Sequence, residues 1–257
     1  MTSPPPDVVV EPDAAHLARA AAEALVARLA AAQSVHGTAS VVLTGGGIGT
    51  AVLEQVAELA AGPVREAVDW TAVDVWWGDE RFVPAGDDER NEKGARRALL
   101  DVVGVPAERV HAMPASDGEF GEPEDAAAWY ADQLAAAAPE GHAVPRLDVL
   151  LLGMGPEGHV ASLFPETPAV RDTRSVVAVR DCPKPPPTRV SLGFAALNAA
   201  EEVWLLVSGE AKAPAVAAAL TKNTDPVHLP AAGVHGIRAT RWLLDRAAAG
   251  ELPVPPG

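Results

Sequence analysis

Residues 147–159 read Leu-Asp-Val-Leu-Leu-Leu-Gly-Met-Gly-Pro-Glu-Gly-His. A short apolar run closed by glycines predicts a strand buried on both faces, the kind found in parallel sheets. Working outward, extended and helical signals alternate. Residues 8–10 are a β-branched run, and Asp13 is the expected N-cap of an Ala/Leu helix reaching about Gln33. Strands are expected at 40–43, 73–77, 175–179, 189–192 and 203–208. Helices are expected at 50–60, 92–100, 124–138 and 211–220, with 238–249 helical at least from Leu243. Residues 78–91 read as a polar, acidic loop, and the proline-rich 181–188 as a rigid one. Strands separated by helices predict an α/β fold: a mostly parallel sheet with helices on both faces. No repeat or linker divides the chain, so residues 1–257 are expected to form a single domain.

The chain has 257 residues, 48% of them hydrophobic, which excludes a disordered or fibrous protein. Folding at this length buries about 70% of the extended chain's surface, so no disulfide or metal is needed to hold a core. Cys182 is the only cysteine, so no intrachain disulfide can form. A net charge of −15 argues against nucleic-acid binding and against attraction to anionic membranes. The N-terminus lacks a basic start followed by an apolar run, and no apolar stretch approaches 18 residues. A cytoplasmic protein is expected. The sequence leaves the oligomeric state open; a monomer is compatible with it.

Ligands of open parallel sheets sit beyond the carboxyl ends of the strands. Three strands here end in unusual loops. Thr44-Gly45-Gly46-Gly47-Ile48-Gly49-Thr50 leads into a helix and could offer backbone N–H groups to an anion. It matches neither the dinucleotide fingerprint nor a P-loop. Gly78-Asp79-Glu80-Arg81 brings a guanidinium suited to phosphate, with carboxylates that could orient it or accept hydroxyls. Gly153-Met154-Gly155-Pro156-Glu157-Gly158-His159 holds an imidazole at the sheet edge, suited to general-base work at neutral pH, with Glu157 near enough in sequence to orient it. Lys184 and Arg189 flank the proline loop and could complete an anion pocket. Each has a plain alternative: a tight turn, a solvated charged turn, a structural histidine, surface charge. The histidines show no metal-ligand spacing.

LTGGG, WWGDERFVP, LDVLLLGMGPEGHVASLFP and CPKPPPTRVSLGFAALNAAEEVWLLVSGEAK occur in that order. Together they resemble the 6-phosphogluconolactonase family, of the glucosamine/galactosamine-6-phosphate isomerase superfamily. The resemblance runs from about Val41 to Lys212. It implies a Rossmann-like fold related to sugar-phosphate deaminases and isomerases. It also implies hydrolysis of 6-phospho-D-glucono-1,5-lactone in the oxidative pentose phosphate pathway, with no metal or organic cofactor. The implied partner is the phosphosugar lactone, with neither nucleic acid nor membrane. By resemblance His159 is the general base, and Arg81, Lys184 and Arg189 clamp the phosphate. Gly45, Gly46, Gly47, Gly153, Gly155 and Gly158 let the backbone approach the ligand, and Asp79, Asn91 and Glu157 bind hydroxyls or orient His159. Two departures stand out: GGGIGT replaces the family's frequent GGSTP, and Glu157 replaces a frequent Asp. The alternatives are a deaminase or isomerase on the same fold, against which GHVASLFP in place of GHIAFNEP speaks, and a non-enzymatic sugar-phosphate sensor.

Overall fold

The structure, a computed structural model, describes residues 4–62 and 66–253. The parallel sheet has six strands. They are β1 (Asp7–Glu11), β2 (Ala39–Leu43), β3 (Val73–Trp77), β5 (Val149–Gly153), β8 (Glu202–Val207) and β9 (Ala239–Asp245), in the spatial order β1-β9-β8-β5-β2-β3. Every pairing is parallel. The apolar run at 147–152 lies inside the sheet, and Leu150, Leu151 and Leu152 are buried, as a strand covered on both faces requires. Helices α1 (Ala14–His36) and α2 (Gly46–Ala61) pack on each other and on the sheet. Asp13 caps α1 by accepting from the His16 N–H, and Gly37 ends it in the left-handed conformation.

A second sheet, β4 (Asp79–Arg81), β7 (Arg189–Leu192) and β6 (Val176–Val179), is antiparallel in the order β4-β7-β6. The sequence pattern places β6 and β7 among the parallel strands and residues 79–81 in a solvated loop; the structure corrects both. A parallel return needs a crossover of a dozen or more residues, and the proline loop is too short for one, so β6 and β7 form a hairpin. Asp79 and Glu80 are buried because β4 pairs with β7.

The segment 238–249 is the other correction. Residues Ala239–Asp245 form β9, between β8 and β1, and only the turn after it departs from the sheet. Its apolar run fits a helix or a buried strand equally, and burial between two neighbours decides. Helix α2 begins within the glycine loop, at Gly46. The next helical stretch joins α3 (Asn91–Ala95), a π-helical segment at Arg96–Leu100 and α4 (Asp101–Val103). Helix α5 (Pro123–Ala137) packs on β6 and β7; α6 (Phe194–Leu197) and α7 (Ala213–Ala219) flank β8 in sequence.

Strand β3 is an edge strand, and its outer side is sealed by side-chain and loop bonds. The Tyr130 hydroxyl of α5 accepts from the Trp77 N–H at 3.0 Å and donates to the His111 carbonyl at 3.0 Å. The His111 N–H in turn donates to the Val75 carbonyl at 2.9 Å. Tyr130→Phe leaves the buried Trp77 N–H without a partner, so we expect a loss of about 1–3 kcal/mol in urea unfolding; unchanged stability would show that water replaces the phenol.

Candidate active site

Because the six strands run parallel, their carboxyl ends share one edge, and a cleft of about 480 Å³ opens there. Its wall is built from successive strand exits. Thr44, Gly45, Gly46 and Gly47 follow β2; Asp79, Arg81 and Asn91 follow β3; Gly153, Met154 and His159 end or follow β5; Ser208 and Lys212 follow β8. Arg189 enters from β7. The three loops singled out in the sequence thus face one hollow, into which the first turn of α2 opens without a side-chain cap. Uncapped N–H groups there suit an anion.

A tight fold of the loop after β5 presents His159. Gly155 accepts from the Gly158 N–H and its own N–H donates to the His159 carbonyl, closing a turn under the imidazole. A Cβ on Gly155 would overlap the His159 ring, so the backbone passes where no other residue fits. The ring stacks on Phe164 at 4.2 Å between centroids. Its Nδ1 lies 3.0 Å from Glu157 Oε1, within ion-pair range but out of line for a hydrogen bond. Lys184 Nζ lies 2.9 Å from the same oxygen. Burial pushes the His159 pKa below its usual value; Glu157 opposes this, Lys184 adds to it, and Asp79 opposes it more weakly. Burial alone would raise the Glu157 carboxyl, but its own N–H, Lys184 and His159 hold it below the usual range. The imidazole is therefore neutral at pH 7, with Nε2 on the side away from Glu157.

The second loop is organised by a carboxylate that does not face the cleft. Glu80 accepts from the N–H groups of Arg81 (2.8 Å), Asn91 (2.7 Å) and Glu92 (2.9 Å), and Arg90 lies 3.8 Å away. Burial raises its pKa, while Arg90 and these amides oppose the rise. Asn91 Nδ2 donates to the Asp79 carbonyl at 2.9 Å. The Asn91 carboxamide rests against Gly45 so closely that a Cβ there would overlap it. The glycine at 45 is thus required by contact between two loops.

The cations are less free than the sequence suggests. Arg189 is 7% exposed; its Nε and Nη2 donate to the carbonyls of Pro186, Lys184 and Pro185, leaving Nη1 3.8 Å from Asp79. Arg81 Nη1 donates to the Glu89 carbonyl. Lys184, Glu157, Gly155 and Gly158 form a layer behind His159 and do not line the main cleft. Lys212 does line it, although no sequence signal singled it out. Burial lowers its pKa, Lys184 adds to that, and Asp245 and Glu157 oppose it. The rule that selected the other loops, the carboxyl end of a parallel strand, applies equally to β8 and would have found Ser208 and Lys212. Among the described residues no cluster of His, Cys, Asp or Glu could hold a metal ion, and no helix is long and apolar enough to cross a membrane.

An NMR titration should place the His159 inflection below about 6.5, the unperturbed value. Glu157→Gln removes the main contribution that raises it, so the inflection should fall further. An upward move would mean that burial does not control this group.

The chain matches the family described as glucosamine-6-phosphate isomerases/6-phosphogluconolactonase over residues 12–242. A 6-phosphogluconolactonase from Streptomyces coelicolor is 55% identical over 252 residues, spanning 96% of this chain and 95% of the relative. A solved 6-phosphogluconolactonase from Trypanosoma brucei superposes with a TM-score of 0.82 at 28% identity, covering 98% of this chain and 100% of that one. A monomeric glucosamine-6-phosphate deaminase shares the fold at a TM-score of 0.77 and 18% identity, covering 95% of this chain and 99% of that one. The strand-end loops, the partly buried histidine and the match across nearly the whole sheet lead to one conclusion: this chain belongs to the glucosamine-6-phosphate isomerase/6-phosphogluconolactonase family.

Proposed function

We propose that the chain hydrolyses 6-phospho-D-glucono-1,5-lactone to 6-phospho-D-gluconate, in the oxidative pentose phosphate pathway. The observation that carries the reading is a partly buried imidazole in the same cleft as Arg81, Arg189 and Lys212. The name of the 55%-identical relative supports it. The fold alone does not separate lactonase from deaminase, since both share it.

His159 Nε2 takes a proton from water as the water oxygen attacks the lactone carbonyl carbon. Negative charge collects on the carbonyl oxygen, and backbone N–H groups at the glycine loops are suited to receive it. The carbon–ring oxygen bond then breaks, and the proton held by His159 passes to the departing oxygen, which becomes a hydroxyl. Glu157, beside Nδ1, stabilises the imidazolium formed on the way. The phosphate lies among Arg81, Arg189, Lys212 and the first turn of α2. Relative to the sequence-based expectation, Lys184 moves from clamping phosphate to holding Glu157. Asp79 accepts a ring hydroxyl through Oδ1, which takes no hydrogen bond among the described residues.

With freshly made lactone and spontaneous hydrolysis subtracted, His159→Ala should lose about 10²–10⁴-fold in kcat. A folded variant with unchanged turnover would remove the imidazole from the reaction. The acid limb of the kcat/KM profile should fall below pH 6.5, because only the neutral base acts and burial lowers its pKa. Lys212→Met should raise KM about tenfold with little change in kcat, as a contact made equally in ground and transition states does; a loss confined to kcat would contradict that placement.

A further inference from the structure

Three residues beyond His159, the chain makes a turn that the proposed chemistry does not use. Ala161 adopts a φ of +48°, a conformation disfavoured for a residue with a Cβ. The turn aims Ser162, which is fully buried, at Asp79 across the site. The Ser162 hydroxyl donates to Asp79 Oδ2 at 2.6 Å, the length of a charge-assisted O–H···O⁻ bond. The same carboxylate oxygen lies 3.8 Å from Arg189 Nη1, too far for a hydrogen bond. Asp79 and Arg189 are thus within ion-pair range but not joined by a hydrogen bond. The Ser162 N–H has its own anchor, donating to Ser191 Oγ at 3.1 Å, and Ser191 Oγ donates to the Leu192 carbonyl at 3.0 Å. Residue Ser191 is also the strand partner of Asp79. The backbone at 162 is therefore fixed without the hydroxyl, and the hydroxyl is left to set the rotation of the Asp79 carboxylate.

We propose that Ser162 is a positioning residue. Its hydroxyl holds Asp79 off Arg189 so that Oδ1 faces the cleft and accepts a ring hydroxyl of the phosphosugar lactone. It also ties the loop that carries the base, from the parallel sheet, to the strand that carries the hydroxyl acceptor, from the antiparallel one. The inference rests on the lactonase reading and adds to it a determinant of substrate binding. Without the Ser162 hydroxyl, the Asp79 carboxylate turns further toward Arg189 and the 3.8 Å contact closes to a hydrogen bond.

The test is a double-mutant cycle on 6-phosphogluconolactone hydrolysis with wild type, Ser162→Ala, Asp79→Asn and the double variant. Ser162→Ala should lose about tenfold in kcat/KM, the size of one charge-assisted hydrogen bond, and the loss should fall in KM. In the Asp79→Asn background the same substitution should cost less than twofold, and Ser162→Thr, which keeps the donor, should restore most of the activity. Equal losses in both backgrounds, or a loss in kcat alone, would overturn the proposal. Should Ser162→Ala not fold, Ser162→Cys keeps a side-chain donor but weakens it, and the cycle is read in the same way. Wild-type turnover no faster than the spontaneous rate would overturn the lactonase reading itself, a result distinct from additivity in an active enzyme.

Discussion

The carboxylate of Glu80 is the constraint around which the cleft is arranged. It gathers three backbone N–H groups, from its own neighbour and from the start of α3, and so closes the long acidic excursion after β4. A buried carboxylate left without these donors would carry a large desolvation cost, so the loop has one arrangement that satisfies it. That arrangement puts Asp79 on one side of Glu80 and Arg81 on the other, and it sets Asn91 against Gly45. Because alternate residues of a strand point to opposite faces, burying Glu80 on one face turns its two neighbours toward the other.

Two sheets of opposite character meet at this point. The parallel sheet delivers the glycine loop, His159 and Lys212 through its carboxyl edge; the antiparallel hairpin and β4 deliver Asp79, Arg81 and Arg189. The electrostatics divide in the same way. The chain as a whole carries −15, yet three cations line the cleft. Screening beyond about 8 Å at physiological salt makes this local set, not the net charge, the field inside the cleft. Around His159 burial, not charge, is the largest influence: it lowers the pKa of the ring, and Glu157, itself held by Lys184, opposes the shift.

Much of this is legible in the chain. Glycine clusters after the apolar runs at 40–43 and 147–152 mark strand exits, and parallel topology requires strand exits to share an edge. Strand β9, which the sequence pattern leaves ambiguous at its start and reads as helix from Leu243, shows the limit, since its apolar run satisfies helical and buried-strand patterns alike. Residues 79–81 show it differently: three consecutive charged residues look solvated, yet pairing with a partner strand buries Asp79 and Glu80, and backbone amides gather around Glu80. Lys212 escapes notice for a simpler reason, because its loop lacks the glycine cluster that draws attention to the others.

The sequence by itself determined the class of fold, the parallel sheet and the group of residues at its carboxyl edge, because these follow from local periodicity and from the direction of the strands. Only the tertiary structure decided which of those residues face the cleft and which stand behind it. Lys184 turned to Glu157, Arg189 gave most of its donors to the proline loop, and Ser162 reached Asp79 from the far side of the site. The physical reason is that a side chain's partner is set by distance and burial across elements far apart in the chain, and neither is encoded in the spacing of residues along it.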